Sequence, residues 1–170
     1  RKEFHLNAQQ VGGGQEGYRR AGTQNVPGIA GFGAAAQWWI ENDIDLTVVM
    51  KLRDRLELAC REFGATVFGA DAVRLPNTSC LTMPGVSSET QVMAFDLDGI
   101  AISAGAACSS GKVGPSHVLA AMGGPPELAA SAIRVSLGWD TLEDDIELLI
   151  GAWTALYRRK NPALSARLAL

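Results

Sequence analysis

The sequence predicts an α/β chain, with α+β as the alternative, built on a small mixed or antiparallel sheet packed with helices. Three observations predict it. Short strand-like runs at 65–68, 77–83, 100–103 and 132–137 alternate with longer segments of helical periodicity. The helical segments carry boundary signals, among them Asn25-Val26-Pro27, Ser87-Ser88-Glu89, and Gly64 behind Phe63. A length of 170 residues is enough to bury a real core, with no internal repeat, low-complexity run or linker.

In chain order, Gly12 to Gly17 reads as a glycine loop with close backbone approach. It matches G-x-G-x-x-G by letter, but no strong strand precedes it and no apolar helix follows, so a dinucleotide fingerprint is unsupported. Asn25 caps a helix with Pro27 in its first turn, running to about Ile40. Ile29, Phe32, Gly33, Ala36 and Trp39 fall on overlapping turns, and the many Gly and Ala residues suggest close packing against another element. Asn42 to Gly64 is a second helix with an apolar stripe of Val48 or Val49, Leu52, Leu56 and Ala59 or Cys60, ended by Gly64. Cys60 belongs to that stripe as core, and Cys80, alternating with Leu81, reads as structural.

Ser87 opens a helix through Leu97 with Val92, Met93 and Phe95 inward, and Asp98-Gly99 turns it into the strand from Ile100. Pro115 to Met122 is a short helix, and Glu127 to Ser131 another. Ala132 to Leu137 alternates as a strand with Arg134 inside it. Thr141 caps the last helix, whose first turn holds Glu143, Asp144 and Asp145 against the positive end of the helix dipole, and the chain frays from Asn161.

Composition excludes several classes. The net charge of −3 and the pI of about 5.4, without a Lys/Arg stripe, argue against nucleic acid and an acidic membrane surface as partners. No apolar run reaches the roughly 18 residues that span a membrane. Three widely spaced cysteines, Cys60, Cys80 and Cys108, argue against a disulfide framework and a zinc site and fit a reducing cytoplasm. No signal peptide is visible and the sequence begins with Arg1, so a preceding part is expected.

Chemistry concentrates in Ile102 to His117, ISAGAACSSGKVGPSH. Small residues around Cys108 give a presented thiol, whose pKa a nearby helix start could lower; the alternative is a cysteine that ends a strand. The segment is not a P-loop, because five residues separate Gly105 from Gly111 and Val113 replaces Ser/Thr. Nor is it a phosphatase cradle, since Gly114 stands where the arginine belongs. Arg134 offers a planar fork for a carboxylate or else faces solvent on the polar side of its strand. Arg19, Arg20 and Thr23 at a helix entry form either a phosphate contact or a solvated turn.

Four segments together point to a family. GGGQEGYRRAGTQNVPGIAGFGAA, RLPNTSCLTMPGV, ISAGAACSSGKVGPSHVL and AIRVSLGWDTLEDDIELL resemble, in order, the motifs of the carboxy-terminal part of NifS/IscS-type cysteine desulfurases, of the class V aminotransferase group. The resemblance implies a fold like the small C-terminal domain of fold-type I pyridoxal-phosphate enzymes. It makes residues 1–40 the end of the large cofactor domain with its connecting helix, 41–160 the small domain and 161–170 a tail.

It further implies a pyridoxal-phosphate enzyme that takes sulfur from L-cysteine, giving alanine and a persulfide on Cys108. Arg134 matches the arginine that binds the substrate carboxylate. Thr23 matches a threonine that contacts the cofactor phosphate across a homodimer, with Arg20 and Gly22 in the same motif. The sulfur goes on to an iron–sulfur scaffold or another acceptor protein. The family's cofactor lysine lies in a Ser-x-His-Lys segment upstream of everything here, and Lys2, Lys51, Lys112 and Lys160 lack that context. The chain is therefore expected to be a fragment that does not bind the cofactor covalently. The other expectations are a non-catalytic dimerisation or interaction module, and a selenocysteine lyase or aminotransferase of the same class. The cysteine loop disfavours the aminotransferase, which needs no nucleophile there.

Overall fold

A computed structural model describes residues 7–42, 45–104 and 116–162. The chain forms two compact units, Arg1–Ile44 and Asp45–Leu170.

In the first unit, α1 (Gln15–Tyr18) is a single turn in which Glu16, Gly17 and Tyr18 take φ of 53°, 64° and 65°. This left-handed run is what the glycine loop becomes. Gly12 answers a close approach: a Cβ there would stand 2.8 Å from that of Ala21. Asn25 caps α2 (Val26–Asn42) as expected, its Oδ1 accepting the Gly28 N–H at 3.2 Å. No residue of α2 is buried, and Phe32 and Ile40 stand 80% and 74% exposed.

In the second unit, α3 (Thr47–Arg61) begins later than the predicted Asn42, where Asp45 Oδ1 accepts the Thr47 N–H at 2.8 Å. The Thr47 hydroxyl and then this N–H hold the Asp45 carboxyl below its usual range. Val49, Leu52, Leu56 and Cys60 are buried at three- and four-residue spacing, as the stripe predicts, and Gly64 ends the helix at φ 83°. The predicted strand at 65–68 is reduced to one bridge, Val67 to Leu81, flanked by the Phe68 N–H to Cys80 carbonyl bond of 2.8 Å.

The sheet is antiparallel throughout, in the order β1 (Thr78–Thr82), β3 (Ala132–Ser136), β2 (Ser103–Ala104). The strand expected from Ile100 pairs only at its last two described residues. α4 (Ser88–Leu97) carries the chain from β1 to the far side of β3, capped by Ser87 Oγ, which accepts the Thr90 N–H at 3.3 Å. Met93, expected inside, is 62% exposed, and Gln91 is buried in its place. The reason is local: Gln91 Nε2 donates to the Val86 and Ser131 carbonyls at 3.1 and 2.7 Å, and these bonds, with Phe95 one turn on, set the helix phase.

Two short helices follow, α5 (His117–Ala121) and α6 (Pro126–Ala130), and α7 (Glu143–Lys160) closes the unit. Thr141 does not cap α7. Its hydroxyl accepts the Gly138 N–H at 2.8 Å, while Asp145 reaches back to the Leu142 N–H at 2.9 Å. Asn161, expected to fray, is tied down, its Nδ2 donating to the Pro84 carbonyl at 3.1 Å.

The core lies on one face of the sheet. Leu81, Ile133 and Val135 meet Leu56 of α3, Phe95 of α4 and Trp153 of α7, all almost fully buried. Trp153 stacks on Tyr157 with centroids 5.5 Å apart and planes 6° from parallel, and Phe63 tilts against both.

Candidate functional site

The opposite face of the sheet carries a cavity of about 480 Å³. Strand alternation decides what faces it. Cys80 on β1, Arg134 on β3 and Ser103 on β2 are direct cross-strand partners and share one face. Leu81 and Ile133, one position along, pair on the core side. The cavity wall adds Phe68, Leu119 and Met122 to Cys80 and Arg134. Gly124 closes tightly behind it: a Cβ there would lie 2.7 Å from the Phe68 ring and 3.0 Å from the Leu119 carbonyl. Ser116, buried at the rim, caps α5 through the Leu119 N–H.

Two guanidinium groups line the cavity, in different states. Arg74 is committed: Nη1 and Nη2 bind the Glu57 carboxylate at 2.7 and 3.0 Å. Burial pushes the Glu57 carboxyl up, but the hydrogen bonds from Arg74 and the charges of Arg74 and Arg53 outweigh it and hold the group below its usual range. Arg53 also donates to the Leu75 carbonyl at 2.8 Å, so this network fastens the 69–76 loop to α3. Arg134 is exposed and has no ion-pair or hydrogen-bond partner among the described residues. Beside it, burial pushes the Cys80 thiol up from its ordinary value while the Arg134 charge works the other way. The thiol therefore stays protonated at neutral pH. Cys60 is pushed up to about 12 by burial, and its place in the core is that of an inert side chain.

In the first unit, Arg20 Nη1 donates to the carbonyls of Gly22 and Thr23 at 3.1 and 3.0 Å, and Nη2 lies 3.7 Å from Glu16. Arg20 therefore shapes the turn that presents Thr23 and Asn25 ahead of α2. Gly22 sits in that turn at φ 89°.

Of the sequence-predicted site residues, Arg134 lines the cavity and Thr23 lies in an exposed turn of the other unit. Cys108 and Lys112 lie outside the described residues. Sequence reasoning missed Cys80 as the neighbour of Arg134 and Arg74 as a cavity residue. The alternation of Cys80 with Leu81 was a signal for the first, but only the strand pairing shows which face carries the cavity. An uncompensated guanidinium at the edge of an apolar pocket can hold a small carboxylate. Among the described residues there is no group of side chains that could hold a metal ion, and no helix is long and apolar enough to cross a membrane.

The chain is similar in sequence and in fold to known proteins. The profile of the aminotransferase class-V family matches residues 5–149. A cysteine desulfurase of Sinorhizobium fredii is 40% identical over 151 residues, covering 87% of this chain and 39% of that protein. One of Cereibacter sphaeroides is 45% identical over 141 residues, covering 82% of this chain and 36% of that protein. The X-ray structure of a NifS-like protein from Rickettsia africae superposes with a TM-score of 0.77 at 35% identity, over 91% of this chain and 41% of that one. The chain thus spans about two-fifths of the length of these relatives. By the profile that covers most of its length, the relatives that align with it and the fold it shares with them, this chain belongs to the aminotransferase class-V family.

Proposed function

We propose that this chain is the carboxy-terminal part of a cysteine desulfurase, and that the longer protein removes sulfur from L-cysteine to leave alanine and a persulfide on Cys108. The observation that carries the reading is Arg134, a guanidinium with no acid beside it among the described residues, fixed in the middle strand of the sheet where a carboxylate can reach it. In the reaction the Cβ–S bond of L-cysteine breaks and the sulfur bonds to the Cys108 thiolate. The carbon skeleton takes a proton in place of sulfur and leaves as alanine, so no external oxidant or reductant enters. The persulfide sulfur then passes to an iron–sulfur scaffold or another acceptor protein, in the cytoplasm, where Cys108 stays reduced.

Pyridoxal phosphate supplies the electron sink that weakens the carbon–sulfur bond. The described residues do not make a complete site for it. Lys51 and Lys160 are exposed on α3 and at the end of α7, and neither lines a cavity described above. Only the phosphate end fits: the Thr23 hydroxyl, exposed in the turn ahead of α2, suits it, across a homodimer. The lysine and the ring contacts belong to segments outside these 170 residues, and no step through the cofactor is assigned to this chain. On this reading residues 1–40 finish the large domain and 41–160 form the small one, a division that the separation into two compact units near residue 44 supports.

The test uses the longer protein. Cys108→Ala abolishes the persulfide formed from L-cysteine, detected by alkylation and mass spectrometry, and leaves the cofactor absorbance near its usual position. Sulfide released at the wild-type rate by that variant overturns the assignment.

A further inference from the structure

We propose that Cys80 is a positioning residue for Arg134: opposite it across β1 and β3 and in the same cavity wall, its short, non-acidic side chain leaves the guanidinium without a counter-ion among the described residues and open to a ligand carboxylate. The inference deepens the proposed function and rests on Arg134 as the carboxylate-binding residue.

A directly opposed pair in an antiparallel sheet brings its Cβ atoms to within about 5 Å, and an acid opposite an arginine is a favourable pair. The position facing Arg134 is therefore where a neutralising carboxylate would stand. Cysteine stands there on one side, and serine at 103 on the other.

Four other arginines of this unit, on α3 and in the loop that follows it, are treated differently. Arg53 and Arg74 are ion-paired with Asp54 and Glu57, Arg61 with Glu57, and Arg55 with Glu147. Arg74, in the same cavity, shows what an acid within reach does to such a group: both of its terminal nitrogens are committed. The charge of Arg134 reaches Cys80 strongly enough to act on the thiol, which puts the two side chains within electrostatic range. Burial of the thiol keeps it neutral, so it does not become the missing counter-ion at neutral pH. The exposure of Arg134 to water removes the desolvation penalty that would otherwise demand a partner.

The experiment uses the ¹⁵N-labelled 170-residue chain and sodium acetate at constant ionic strength. It follows the Arg134 Nε–Hε resonance, assigned by its absence in Arg134→Lys. The resonance shifts on titration in the wild type. In Cys80→Asp the apparent affinity for acetate falls roughly fivefold or more, and the conservative Cys80→Ser restores it. Ser103→Asp places the same charge on the other flank and gives the same loss, so the proposal stays testable if Cys80→Asp does not fold. A folded Cys80→Asp that takes acetate like the wild type overturns the proposal, as does a wild-type resonance that does not respond. The substrate reading is checked separately: if Arg134→Ala in the longer protein leaves saturation by L-cysteine unchanged, that reading fails while the acetate result stands.

Discussion

On one face of the sheet Leu81, Ile133 and Val135 meet α3, α4 and α7; on the other Cys80 and Arg134 line a cavity, with Ser103 paired to Arg134 on the same face. The same strands make both faces, one residue out of step. The first face is apolar, close-packed and carries the aromatic cluster. The second is only partly covered, by the small cluster of Leu119, Ala129 and Ala132 with Phe68 and Cys80 against it. The difference teaches that in this unit alternate residues of the same strands serve a packed core and an open cavity. Substitutions should separate accordingly.

The sharpest test is Trp153→Ala. Removing a 1%-exposed indole from the covered face costs about 3–5 kcal/mol. The urea midpoint should fall by a large fraction, without a change that begins at the cavity. A loss below about 1 kcal/mol would break the comparison by showing the covered face to be loosely packed.

Glu57→Gln follows in size. It acts between the faces, because Glu57 lies on α3 while its partner Arg74 lines the cavity. The change costs about 2 kcal/mol at neutral pH, less than for a fully enclosed pair because Arg74 is 18% exposed. The pH dependence has a definite sign. The folded carboxyl is held below its ordinary value, so the contribution is complete above about pH 4.3 and is lost as pH falls through the folded pKa. Chemical denaturation between pH 3 and 7 should show wild type and variant converging at the acid end. Parallel curves would assign the acid sensitivity to other groups.

The smallest effect belongs to the open face. Arg134→Ala changes stability by no more than about 0.5 kcal/mol, since the side chain is exposed and has no partner among the described residues. In the longer protein the same variant raises KM for L-cysteine far more than it changes cofactor binding. A melting temperature several degrees lower would mean that Arg134 is part of the scaffold.

Much of the covered face is legible in the sequence because helix phase is written in apolar spacing. Val49, Leu52, Leu56 and Cys60 fall where the 3.6-residue period puts them. Met93 shows where this stops: the stripe of α4 is set by the hydrogen bonds of a buried amide, Gln91, and apolar periodicity does not register a polar anchor. Thr141 shows the same limit at a helix start, where a hydroxyl serves the preceding turn and a carboxylate three residues after Leu142 does the capping. The strands expected at 65–68 and from 100 shrink to a bridge and two residues, because short apolar runs do not say how many partners they will find. For the site, residue chemistry picks out Arg134 as a carboxylate fork. The emptiness around it depends on register, which pairs positions far apart in the chain.

The order of the sheet has a temporal consequence. β3 is bonded on both sides, while β1 and β2 each pair with it and not with one another. β3 follows the other two described strands in the sequence, so a nascent chain ending before Ala132 can form the Val67–Leu81 bridge but none of the described strand ladders. Sheet formation waits for contacts of long sequence separation, which makes it the slow event of this unit. The strand that completes the sheet also carries Arg134, so each molecule with a finished sheet already holds that guanidinium in its middle strand.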